Sequence, residues 1–250
     1  DKEAPNQLIH VGRMMEQFSP SAASIYSPGM ACSTHVLDAA IQTVNALHTK
    51  NPIDFGLSLG DVCNSSQYNE LRWYIDVLDG KVIHPSSGAH CGADSIDSQK
   101  PYQAAGLDKA IPWYQTLCNH DHFYMGSFPL DNVLRPDLRA SYTSDTVFAT
   151  GNVLANVLSL KDKTYYMGVI DGSTADGTIR HAGKASDFPS PPKVAADADR
   201  RALNRDQWIA EFFKTSTLPV GHGFAQAQAQ TGFACYSFVP KADVPLKVIV

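Results

Sequence analysis

The stretch Ile111-Pro112-Trp113-Tyr114-Gln115-Thr116-Leu117-Cys118-Asn119-His120-Asp121-His122-Phe123 decides how this chain is read. Its first part is an apolar run with the look of a buried strand. At the end of that run an amide, an imidazole and a carboxylate follow one another. In open α/β sheets chemistry gathers at the carboxyl ends of strands, so the placement matters as much as the residue types. Upstream, Ile53-Asp54-Phe55-Gly56-Leu57-Ser58-Leu59 is a second strand-like run, and it ends in Gly60-Asp61. Two strands that each deliver polar groups at their carboxyl ends imply one shared site. Gly-Asp is an ordinary turn and carries little weight. Asn-His-Asp would arise by chance in a chain this long on the order of one time in a hundred.

The rest of the chain fits a layered α/β protein. Val36, Leu37, Ala40, Ile41, Val44 and Leu47 recur at helical spacing behind a Ser33-Thr34 cap, and Asn51-Pro52 stops that helix. Its histidines, His35 and His48, read as surface or satisfied residues. Leu71, Tyr74, Ile75 and Leu78 define a second amphipathic helix, closed by Gly80. Helix running into strand through a short loop is the α/β pattern, and it makes the strands ending at Leu59 and Leu117 neighbours. Residues 84–110, with His84-Pro85-Ser86-Ser87-Gly88-Ala89-His90-Cys91-Gly92, read as a loop insertion near the site, where His84 and His90 are weak candidates for substrate contact. Farther on, Tyr165 to Ile170 reads as a strand and 181–199 as a proline-rich surface loop. Asn204 and Gln207 form a capping box for a helix bearing Trp208, Ile209, Phe212 and Phe213. Gly232 to Val239 and Leu246 to Val250 read as two more strands. Residues 1–32, broken by Pro5, Pro20 and Pro28, read as an irregular excursion.

The 250 residues are 44% hydrophobic and 18% charged, which suits one sizeable domain over 1–250. The net charge of -5 gives no basic stripe for nucleic acid and fits poorly with an anionic membrane. No apolar run reaches the ~20 residues of a membrane span, so a soluble protein is expected. Asp1-Lys2-Glu3-Ala4-Pro5 is not a signal peptide, but a mature exported (periplasmic) chain would have lost one. Cys32, Cys63, Cys91, Cys118 and Cys235 are odd in number and show no Cys-x-x-Cys spacing, which argues against a zinc-thiolate site. Cys63 and Cys118 each lie within two residues of a proposed ligand. Small buried thiols are the favoured reading, with a disulfide between them left open.

Gly60-Asp61-Val62-Cys63-Asn64 and Cys118-Asn119-His120-Asp121 resemble the second and third blocks of the calcineurin-like metallophosphoesterases. The wider run from Gln67 to Gly80 resembles an uncharacterised bacterial branch of that superfamily. The resemblance implies two packed mixed β-sheets flanked by helices, and a site holding two divalent metal ions (Mn, Fe or Zn). It implies metal-dependent hydrolysis of a phosphomonoester or phosphodiester, small or macromolecular. Asp61 and Asn119 would ligate metal, His120 and Asp121 would assist catalysis, and Asn64 is a weak candidate for substrate binding. In this scheme Asp121 would orient the His120 imidazole. The pattern also departs from the family. Cys118 stands where glycine is usual, and the Asp-x-His and Gly-His-x-His blocks are absent. Gly221-His222-Gly223-Phe224 comes nearest to the latter, but His222 reads as a decoy. The chain is therefore expected to be the central part of a longer polypeptide, metal-poor and inactive by itself. The alternative is a non-catalytic binding or scaffold protein that keeps the fold.

Overall fold

The computed structural model describes residues 32–64, 66–85, 100–124, 126, 128–129, 143, 165–166, 169–170, 179–180, 183–184 and 197–250. Residues 1–31 of the excursion expected over 1–32, the loop around His90 and Cys91, and the prolines at 189, 191 and 192 lie outside these residues. The chain separates into two units, one built from 1–33, 84–100 and 131–201, the other from 34–83, 101–130 and 202–250. Together they hold a mixture of helices and small sheets.

In the first unit, β7 (Tyr165–Tyr166) pairs antiparallel with β10 (Gly183–Lys184), and β8 (Val169–Ile170) pairs antiparallel with β9 (Ile179–Arg180). Within the strand expected over 165–170, the described residues form two two-residue segments, each paired in its own two-stranded sheet. A 3₁₀ turn, Ala198–Arg200, is capped by Asp197, whose side chain accepts the Asp199 N–H.

The second unit carries the decisive stretches. Strand β1 (Gly56–Ser58) runs parallel to β4 (Trp113–Gln115), with Gly56 opposite Trp113 and Ser58 opposite Gln115. The Thr116 N–H donates to the Ser58 carbonyl at 3.0 Å, extending the ladder toward both loop ends. The expected neighbours are therefore neighbours. A parallel pair needs a long crossover. Here it contains helix α2 (Tyr68–Asp79) and the antiparallel pair β2 (Val82–Ile83) and β3 (Tyr102–Gln103). Leu71, Ile75, Val77 and Leu78 bury the inner face of α2, and Gly80 ends it in the left-handed conformation. The expected excursion over 84–110 is narrower than its sequence suggested. Beyond Pro101 the chain is built into the core, with Ala104 and Leu107 buried.

Helix α1 (Ser33–Lys50) forms as its periodicity predicts, but its packed face is rotated. Val36 and Leu47 are exposed, whereas Asp38 is buried. The reason is hydrogen bonding. Asp38 accepts the Ala105 N–H at 2.7 Å, and Asn45 spans Gly106 O and Asp108 N at 2.8 Å each. Two polar side chains thus hold the loop after β3; Leu37, Ile41 and Val44 stay against the core, while Val36 and Leu47 turn to solvent. His48 accepts the Ile53 N–H and is satisfied as expected, whereas His35 stacks on Tyr102 and its buried Nε2 has no hydrogen-bond partner among the described residues.

The far edge of β4 is closed by the loop that follows helix α4 (Arg205–Glu211). Trp113 N–H donates to Leu218 O at 2.9 Å, and Gln115 N–H to His222 O at 3.0 Å. The α4 capping box is present: Asn204 N–H donates to Gln207 Oε1. Trp208, Ile209 and Phe212 are fully buried beside Trp113 and Phe224. After helix α5 (Gln226–Thr231), strands β11 (Ser237–Phe238) and β12 (Val248–Ile249) pair antiparallel, much shorter than their apolar runs. Phe238 stacks on Tyr114 and meets Phe55 edge-on, which seats this hairpin on the β1–β4 pair. No helix among the described residues is long and apolar enough to cross a membrane.

His222 is a core histidine, as its decoy reading requires. It is fully buried and stacks on the Trp113 indole with ring centroids 3.5 Å apart. Nδ1 donates to Trp113 O at 3.0 Å, and Nε2 lies 3.2 Å from Thr215 Oγ1. Burial pushes the imidazole from the ordinary 6.5 down to about 4, despite the Trp113 carbonyl and the nearby Asp79 carboxylate. The folded chain refuses a proton that the unfolded chain accepts in that window. Its contribution is complete above pH 6.5 and is lost as the pH falls toward 4, by roughly 3 kcal/mol. Urea unfolding of wild type and His222→Gln across this range should show the stability gap between them shrinking as pH falls. A gap independent of pH would refute the assignment.

Candidate functional site

The two loops that leave β1 and β4 meet through one carboxylate. Asp121 lies in the short helix α3 (Asn119–His122) and is fully buried. Its Oδ2 accepts the N–H groups of Asp61 and Cys118, each at 2.9 Å. Its Oδ1 accepts those of Val62 at 2.9 Å and Cys63 at 3.2 Å. Burial pushes this carboxyl up to about 6, while the same N–H donors pull it down. The expectation that Asp121 orients the His120 ring is thus corrected: its lone pairs are committed instead to backbone N–H groups of both loops.

The loop leaving β1 can wrap the carboxylate because of its backbone. Gly60 and Asp61 both have positive φ, 90° and 55°. Successive N–H groups then point to one side. A Cβ at Gly60 would overlap that of Cys118 and come within 2.9 Å of its nitrogen, so only glycine fits. Asp61 tolerates the left-handed region better than most residues. Its Oδ1 accepts the His120 N–H at 3.1 Å, tying the loops a second time.

His120 is fixed by the opposite loop. Its Nδ1 is 2.9 Å from Asn64 O, and a carbonyl only accepts, so Nδ1 carries the proton. The His120 carbonyl accepts the Ser66 N–H at 3.1 Å. Asn64, named as a candidate for substrate binding, thus acts here through its backbone, and its own N–H donates to Glu70 Oε2 at 3.0 Å. Asn119 is exposed. Its Nδ2 donates to Gly126 O at 2.8 Å, and its Oδ1 lies 3.4 Å from the Cys118 thiol, which also faces Asp61. Asp61, Asn119, His120 and Asp121 are thus brought together. His84 is exposed in the other unit.

Cys63 and Cys118 are free thiols, Cys63 buried and Cys118 half-buried. Burial, then the Asp121 and Glu70 carboxylates, holds the Cys63 thiol well above its usual range. Two participants escaped the sequence. Glu70 is an ordinary first-turn acid of α2, and Gly126 an ordinary turn glycine. Nothing local marks either, since each acts on a residue brought to it by the fold.

As cation donors, Asp61 and Asn119 offer exposed oxygens on adjacent loops. No group of three or more His, Cys, Asp or Glu side chains converges among the described residues. The pair supplies only a fraction of the roughly ten donor positions of a two-ion centre. No protein-family model, curated protein or solved structure matches this chain.

Asp121→Asn keeps the shape but turns an NH₂ toward backbone donors. With two buried N–H groups stripped of their acceptor, unfolding at pH 7.5 should show a loss of about 2–6 kcal/mol. Asn119→Ala, at an exposed hydrogen bond, should cost about 1 kcal/mol or less. Equal losses would mean that Asp121 is not the clamp.

Proposed function

We propose that this chain carries part of the catalytic centre of a metal-dependent phosphoesterase of the calcineurin-like kind, on a sandwich of two mixed sheets flanked by helices. One observation carries the proposal. Parallel β1 and β4 deliver Asp61, Asn119 and His120 to the same end, with their loops clamped through Asp121. An aligned carboxylate, amide and imidazole on rigid supports suit phosphoryl chemistry, in which catalysis is chiefly positioning and electrostatics.

Asp61 and Asn119 are the residues that would hold a divalent ion. Bound there, the ion supplies Lewis-acid stabilisation of phosphoryl charge. The protein's own part falls to His120. With Nδ1 donating to Asn64, Nε2 is the ring atom left to exchange a proton with a substrate oxygen. The Asp61 acceptor on its N–H and the Ser66 donor on its carbonyl keep the backbone beneath the ring in place.

The test uses the natural polypeptide that contains this chain, assayed for metal content and for hydrolysis of p-nitrophenyl phosphate and bis(p-nitrophenyl) phosphate with Mn²⁺, Fe²⁺ or Zn²⁺. His120→Ala should lower turnover by about 10²–10⁴-fold with metal content retained, and Asp61→Asn should lower metal content. Turnover with neither ester and no metal uptake from any of the three ions would instead favour a scaffold that keeps the fold.

A further inference from the structure

We infer that Gly126 is a positioning residue that decides which end of the Asn119 amide faces the site, an inference that rests on the phosphoesterase reading only for the identity of what that end meets. The turn between β5 (Phe123–Tyr124) and β6 (Phe128–Pro129) brings Gly126 back against α3. Gly126 N–H closes this turn on Phe123 O at 3.3 Å. Its own carbonyl receives Asn119 Nδ2 at 2.8 Å. A carbonyl has lone pairs and no hydrogen, so only the NH₂ end of the amide can sit there. The oxygen end is thereby turned to the opposite side, toward the Cys118 thiol at 3.4 Å and the Asp61 carboxylate beyond it. That orientation matters for a cation, because an amide ligates through oxygen and not through its NH₂. An exposed asparagine without such a partner would present either end.

The position also has to be glycine. Its φ is +69°, which strains any other L-residue. A Cβ there would lie 2.5 Å from His120 Cδ2 and Nε2 and would overlap Asn119 Nδ2. The close approach that orients Asn119 therefore also sets the distance between the Gly126 backbone and the His120 ring. No other described group accepts from Asn119 Nδ2.

The test has two arms, both on the natural polypeptide containing this chain. In ¹⁵N-asparagine-labelled protein, the Asn119 side-chain NH₂ should show one slowly exchanging, downfield proton in the wild type, lost in Gly126→Ala. An unchanged NH₂ signal in that variant, or its absence from the wild type, overturns the inference whatever the function. The second arm measures Mn²⁺ affinity by electron paramagnetic resonance. Gly126→Ala should weaken Mn²⁺ about tenfold, and in an Asn119→Ala background it should weaken it no further. The wild-type NH₂ signal needs no variant, so it keeps the inference testable if Gly126→Ala does not fold. An equal Gly126→Ala loss with and without Asn119 overturns the inference. An intact NH₂ signature with no Mn²⁺ bound to wild type supports the positioning and sinks the phosphoesterase reading alone.

Discussion

A buried carboxylate surrounded by backbone N–H groups is the constraint on which the site depends. An ionised group without water is costly, and Asp121 offsets that cost with donors from both strand-end loops. The exchange is mutual. Loop 60–63 adopts a left-handed start that would strand its amides were the carboxylate missing. Neither partner has a good alternative, so the two loops are held as one object. Asp61, Asn119 and His120 inherit that rigidity although none of them is buried.

Strand β4 transmits this order to both sides. One edge bonds β1 and the other bonds the loop that carries His222, so the segment leading into Cys118 has little freedom. The two buried titrating groups flanking it oppose each other. Burial raises the Asp121 carboxyl to about 6 and lowers the His222 imidazole to about 4. As the pH falls from neutrality, the folded state gains on the unfolded one through Asp121 and loses through His222. The clamp and the core histidine thus partly cancel in the pH dependence of the whole chain.

Much of this was legible in the residues. Apolar runs that end in Gly60-Asp61 and Asn119-His120-Asp121 located both strand ends and made them neighbours. Helical spacing located α1, α2 and α4, and Asn204 with Gln207 located the cap of the last. What stayed hidden has a common cause. Val36 and Leu47 seemed to belong to the packed face of α1, but Asp38 and Asn45 have hydrogen-bond partners more than sixty residues away that outweigh the apolar stripe. Asp121 was placed in the site yet given the wrong partner, because a carboxylate beside a histidine in sequence says nothing about which amides will reach it. Glu70 and Gly126 were invisible for the same reason. The β11 and β12 runs were apolar over more residues than actually pair, since apolar character reports packing on Tyr114 and Phe55 as readily as ladder formation.

The parallel pairing of β1 with β4 also sets an order of events in folding. Asp61 and Asp121 stand sixty residues apart in the chain, joined by a crossover that must close before a single clamp bond forms. Helix α2 and the β2–β3 pair are local and can form early, whereas the clamp is a contact of high sequence separation and pays its loop-closure entropy first. The site is therefore assembled late. A chain still emerging from synthesis has both strand-end loops in hand only once Asp121 is outside the ribosome, and until then Gly60-Asp61 is an ordinary turn with nothing to hold.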